Sequence, residues 1–169
     1  MKILVTANTS WNLVNFRPGL LQHLSKQGHT LILVAPRDRF TAGARALGDQ
    51  FFELPMDNHG MNPFYDLLVL CRYALLLQRH RPDVVLTFTV KPNIYAGIAA
   101  RSLGISAVLN ITGLGAMASA NRFESLIFRT LLRCALGAKT QVFFQNEDDQ
   151  TYFENLRLLR NTTHDLLPG

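Results

Sequence analysis

The sequence is short of charge, short of cysteine and without any apolar run long enough for a bilayer. Charged residues make up 17% of its 169 residues, against the ~25% usual for soluble domains. Apolar residues reach 48% and the mean hydropathy is +0.10, so much of the chain calls for cover. Only Cys71 and Cys134 occur, which excludes a disulfide framework and a CxxC metal pair. Each sits in an apolar helical pattern and reads as a small buried hydrophobe. The longest apolar stretch, Leu67 to Leu77, is broken by Arg72 and falls short of the ~20 residues a spanning helix needs. A single Lys2 precedes Ile3-Leu4-Val5, with neither a basic segment nor a small-residue cleavage site. The chain therefore reads as a cytosolic protein that begins with a strand.

Several chemistries lack their motifs as well. No G-x-G-x-x-G follows the first strand, which argues against an NAD or FAD site, and no G-x-x-x-x-G-K-[ST] is present to cradle ATP phosphates. The five histidines show no metal spacing and no Ser-His-Asp order. We therefore expect no metal and no cofactor, and no residue is assigned a catalytic role.

What is present is an alternation of short apolar runs with amphipathic stretches along the whole length, which is the pattern of βαβ units around a mainly parallel sheet. Expected strands are Ile3 to Ala7, Thr30 to Ala35, a weaker Gln50 to Leu54, Val84 to Phe88, Ala107 to Ile111 and Thr140 to Phe144. Expected helices are Pro18 to Gln27, a short one closing near Gly48, Phe64 to His80, Asn93 to Leu103, 123 to 136, and one from Glu147 onward into a polar tail. The stretch from Asn8 to Asn15 reads as a polar loop. The expected architecture is a single α/β domain over residues 1–169, with a Rossmann-like parallel sheet flanked by helices.

Such sheets bind ligands outside the carboxyl ends of their strands, so the loops there carry the candidate residues. The first holds Asn8, Thr9, Ser10, Asn12, Asn15 and Arg17. Its amides and hydroxyls suit sugar hydroxyls, and an Arg beside a helix start suits a phosphate; ordinary loop and cap chemistry fits equally well. The fourth strand is followed by Thr87 to Asn93, with Thr89, Asn93 and Lys91, one of only four lysines. Lys91 before Pro92 at a helix entry fits a bound anion or plain solvation. Gly113 and Gly115 allow a close backbone approach or merely an unusual turn. Asn146 suits a ligand contact, and better an N-cap.

The helix over 123 to 136 shows two apolar faces. Phe123, Leu126, Ile127, Leu131 and Cys134 form an ordinary core stripe. Phe128, Leu132 and Leu136 fall on another face, bordered by Arg122, Arg129 and Arg133. That pattern fits an anionic membrane surface or a second packing face. The net charge of +5 and pI near 9.6 also favour anionic partners. A nucleic-acid partner is not expected, because no basic-aromatic interleaving or recognition helix is present.

Seven stretches in order, Asn15-Phe16-Arg17, Val34 to Asp38, Met61-Asn62-Pro63, Arg81 to Val85, Thr89 to Gly97, Ile111 to Gly115 and Phe144 to Asp148, carry a resemblance over nearly the whole chain. They are similar to the N-terminal domain of family-four retaining glycosyltransferases, in the branch that extends lipid-linked oligosaccharides. The resemblance implies the acceptor-side half of a GT-B enzyme, with two Rossmann-like domains facing across a cleft. It further implies transfer of a hexose or N-acetylhexosamine from a nucleotide sugar to an undecaprenyl-diphosphate saccharide at the inner membrane surface, in cell-surface polysaccharide or glycan biosynthesis. The donor-binding domain is expected to be absent from this chain, which alone should be inactive. It is either the first half of a transferase or a stand-alone half or scaffold that pairs with a separate donor-binding subunit. On this resemblance Arg17 and Lys91 become diphosphate or acceptor contacts, and Gly113 with Gly115 a cleft-lining loop. Asn8-Thr9-Ser10-Trp11-Asn12 departs from the glycine-rich first loop of many members, so a donor contact from that loop is not carried over.

Overall fold

The computed structural model describes residues 1–57, 62–113 and 122–167. Seven strands form one parallel sheet: β1 (Lys2–Thr6), β2 (Thr30–Ala35), β3 (Gln50–Glu53), β4 (Val84–Phe88), β5 (Ser106–Ile111), β6 (Thr140–Phe144) and β7 (Thr163–Leu166), in the order 3-2-1-4-5-6-7. Among the described residues seven helices connect and flank them: α1 (Ser10–Phe16), α2 (Pro18–Lys26), α3 (Thr41–Arg45), α4 (Pro63–His80), α5 (Val90–Ser102), α6 (Arg122–Ala135) and α7 (Glu147–Asn155).

The alternation of β1 explains why both faces are covered. Leu4 pairs in register with Ile32 and Val85, and all three lie in one core cluster with Val69, Tyr73 and Leu77 of α4. Ile3 and Val5 face the other way, into a cluster with Leu13 of α1, Leu21 of α2 and Ala44 of α3. Successive side chains on a strand point to opposite faces, so a strand apolar at every position needs helices on both sides. The chain runs outward from β1 to β3 on one side and from β4 to β7 on the other, so the order reverses between β1 and β4. Their carboxyl ends form the switch point at which sheets of this kind bind ligands.

Three expectations change. The stretch read as a polar first loop is the helix α1, because Thr9 caps it by accepting from the Asn12 N–H at 3.1 Å and Leu13 anchors it in the core. The tail read as polar contains β7, whose backbone pairs with β6 although its residues stay largely exposed. Both cysteines are also exposed rather than buried.

Candidate functional site

The switch point is held by a strained residue. Only Thr89 separates β4 from α5, and it sits at φ 72, ψ 162. That region is essentially reserved for glycine, and such a conformation costs on the order of 1–3 kcal/mol. Its hydroxyl ties the position down: Oγ1 accepts from the Asn8 N–H at 3.2 Å and donates to the carbonyl of Phe88. The loops after β1 and β4 are thereby joined.

Arg17 stands beside that junction, between α1 and α2. Its guanidinium carbon lies 4.0 Å from the centre of the Phe88 ring, in cation–π contact. Burial lowers its pKa from the ordinary arginine value, yet a guanidinium starts so high that it stays charged. Among the described residues no carboxylate pairs with it, and its buried Nε finds no hydrogen-bond partner. A partly desolvated, uncompensated cation at a strand end attracts an anion.

Lys91 is built differently. Its Nζ lies 2.7 Å from Oδ1 of Asp66 on α4, with the two side chains only 13% and 8% exposed. The anion expected at this helix entry is thus supplied by the protein itself. Tyr95 completes the cluster; burial first, and then the charge and hydrogen bond of Asp66, push its hydroxyl pKa up. Tyr73, deeper on α4, shares a 2.7 Å hydrogen bond with Thr6 of β1, and burial raises its pKa too.

Other expected contacts turn out to be part of the framework. Ser10 is fully buried, and its hydroxyl donates to the carbonyl of Pro36 at 2.8 Å. Asn93 is buried between strands, where Oδ1 accepts from Thr87 Oγ1 at 2.6 Å and Nδ2 donates to the carbonyl of Asn110 at 2.9 Å. Both ends of this buried amide are thereby engaged within the fold. Asn146 caps α7 by accepting from the Asp149 N–H at 2.8 Å. Asn15 is exposed on α1, with Nδ2 donating to the carbonyl of Trp11. Gly113, at φ 122, lines a narrow cleft with Thr89, Asn93 and Phe128 that has room for about one water molecule. Gly115 lies outside the described residues.

The membrane face expected on α6 is corrected. Phe128 and Leu132 are 2% and 1% exposed and belong to the core. The reason is the contact between α5 and α6: a Cβ on Gly97 would meet that of Ala135 at 3.0 Å. Small residues bring the helices together there and turn Phe128, Leu132, Ala135 and Leu136 inward. Leu126 and Cys134, expected inside, face outward. Arg133 reaches the carbonyl of Leu156, and Arg129 is partly buried with its Nε unpartnered. The side chain of Arg122 lies outside what is described.

The open apolar surface is on α4 instead. Phe64, Leu67, Leu68 and Leu75 are 87%, 58%, 44% and 67% exposed, with exposed Cys71 between them, while Val69, Tyr73 and Leu77 fill the core. The spacing places the exposed set along one side of the helix. Its one acid, Asp66, is taken up by Lys91. The sequence carried this signal, since Pro63 to His80 is apolar nearly all round.

A family model described as glycosyl transferase 4-like matches residues 2–146. No curated protein sequence matches. Solved structures that share the fold include the following three. MurG from Acinetobacter baumannii is 15% identical with a TM-score of 0.54, over 99% of this chain and 67% of that one. A UDP-N-acetylglucosamine 2-epimerase from Rickettsia bellii is 18% identical at 0.66, over 97% and 44%. A glycosyltransferase from Rickettsia africae is 15% identical at 0.62, over 99% and 42%. The chain thus spans less than half the length of the last two. The seven-stranded Rossmann-like sheet is the one these proteins share.

Proposed function

The chain belongs to the glycosyl transferase 4-like family, and from that premise we propose that it is the acceptor-binding half of a glycosyltransferase acting on a lipid-linked saccharide. The transfer moves a hexose or N-acetylhexosamine from a nucleotide sugar to an undecaprenyl-diphosphate-linked acceptor during cell-surface polysaccharide assembly, with retention at the anomeric carbon. The observation that carries this reading is Arg17, a half-buried guanidinium at the switch point of the sheet that has no carboxylate partner among the described residues. It suits one phosphate of an acceptor diphosphate. The donor half is supplied by further chain or by a partner subunit. Catalysis then consists of holding acceptor and donor in reach of each other while cations stabilise the departing diphosphate.

The acceptor's lipid accounts for the surface of α4. The exposed stripe begins at Phe64, beside the Asp66–Lys91 pair at the carboxyl ends of the strands, and runs to Leu75, with Arg72 and Arg79 at its far end. Apolar side chains flanked by arginines fit a peripheral position on an anionic bilayer, on the inner face of the plasma membrane. No helix among the described residues is long and apolar enough to cross a membrane.

Titration with an undecaprenyl-diphosphate sugar in nanodiscs, with a UDP-sugar in parallel, tests the proposal. The wild type should bind the lipid-linked sugar and respond little to the UDP-sugar. Arg17→Ala should weaken binding about tenfold through the loss of a charge-assisted contact. Leu67→Asp with Leu75→Asp should weaken it by lifting the domain off the bilayer. Tight UDP-sugar binding with no response to the lipid overturns the reading.

A further inference from the structure

Arg17 accounts for an anion, whereas the proposed function leaves the aromatic surface beside it unused. Trp11 and Phe16, on α1, are 42% and 56% exposed, and their rings meet edge to face with centroids 5.0 Å apart. Single exposed aromatics need no explanation, but this pair is fixed. The Trp11 N–H donates to Asp38 Oδ2 at 3.0 Å, the Trp11 carbonyl accepts from Asn15 Nδ2 at 2.9 Å, and Thr9 caps the helix in front of it. The rings are held by each other and by a backbone tied to the loop after β2, so little conformational entropy remains to be lost on binding.

The neighbourhood gives the surface its chemistry. Trp11 precedes Arg17 by six residues, a rise of about 9 Å along a helix, and Phe16 lies between them in the chain. Trp11, Asn15 and Phe16 on α1 and Arg17 at its C-terminal cap thus bring aromatic rings, an exposed side-chain amide and a cation onto one short helix beside the switch point. A glycosyl phosphate presents the complementary series: a pyranose face of C–H groups, a rim of hydroxyls and an anion at C1. The electron-rich face of an aromatic ring attracts polarised C–H hydrogens, and ligand sites combine aromatic walls with a few placed polar groups.

We propose that Trp11 and Phe16 form the platform for the pyranose ring attached directly to the acceptor phosphate, with Arg17 receiving that phosphate. The proposal rests on the acceptor-half reading and adds to it the substrate group recognised, a phosphate-linked pyranose, and the residues that select it.

Trp11 is the only tryptophan in the chain, so its emission reports on this surface alone. The full chain is titrated with N-acetylglucosamine 1-phosphate and, separately, with pyrophosphate, by fluorescence and by calorimetry. The sugar phosphate should change Trp11 emission saturably, and pyrophosphate should bind with a smaller change. Trp11→Ala, and Trp11→Leu, which keeps bulk without the aromatic face, should weaken the sugar phosphate about tenfold and leave pyrophosphate within about twofold. Sugar-phosphate binding unaltered in both variants overturns the platform and leaves the acceptor reading standing. Equal loss of both ligands also overturns it, by showing that Trp11 only supports Arg17. Emission that shifts with protein concentration and ignores the sugar overturns it in favour of a second copy covering the rings. Failure of the wild type to bind either ligand removes the acceptor reading together with the platform.

Discussion

Between α1 and α2 the Arg17 guanidinium lies against Phe88 at the end of β4 and, among the described residues, has no carboxylate, whereas in the first turn of α5 the Lys91 ammonium is held 2.7 Å from one. The two cations look alike in the sequence, since each precedes a proline, Arg17-Pro18 and Lys91-Pro92, although Pro18 opens α2 while Pro92 lies within the first turn of α5. What separates them comes from elsewhere. The crossover from β3 brings Asp66 on α4 against Lys91, while Arg17 meets an aromatic ring from β4. A cation paired inside the fold contributes to structure, and one left uncompensated at a strand end is available to a ligand. A basic residue near a strand end is therefore assigned by what the crossovers deliver to it.

The largest effect expected from this comparison is that of Lys91→Ala, which leaves Asp66 buried without its partner. Breaking a pair of this kind by removing one side should cost about 3 kcal/mol, read as a lower urea midpoint. Lys91→Met combined with Asp66→Asn should recover most of it, because neither charge is then stranded. A single substitution as mild as the pair would show that water reaches the cluster and that Lys91 is not structural.

Thr89→Val acts on the link between the two regions. It keeps the branched side chain but removes the acceptor for the Asn8 N–H, and should cost about 1 kcal/mol in the same measurement. No change would mean that the loops after β1 and β4 are held together by packing alone. The smallest effect on stability belongs to Arg17→Ala, within about 0.5 kcal/mol of the wild type, although the same substitution should give the largest loss of acceptor binding. A cost comparable to that of Lys91→Ala would make Arg17 structural and erase the distinction.

The sheet was legible in the sequence because fully apolar runs such as Leu31 to Ala35 mark strands covered on both faces. β7 was not, since Thr163-His164-Asp165-Leu166 forms a strand by backbone pairing at the sheet edge rather than by apolar pattern. α1 was hidden by its own polar residues, which read equally as loop chemistry until Leu13 is seen in the core. In the site, Arg17 lies against the Phe88 ring and, among the described residues, has no carboxylate partner. Ser10 and Asn93 are instead buried and held by partners distant in sequence, the carbonyls of Pro36 and Asn110.

The apolar faces divide along the same line. On α6 the periodicity revealed two faces but not which one turns inward, and the close contact of Gly97 with Ala135 selects Phe128 and Leu132. On α4 the composition alone announced more apolar surface than one core contact needs.

By itself the sequence determined the class of fold and the strands apolar throughout, because hydrophobic periodicity and turn chemistry are local properties of the chain. Only the tertiary structure decided which cation is free, which amides are already used and which helix face meets solvent. Those outcomes depend on partners that the crossovers bring from far along the chain, and no local pattern records them.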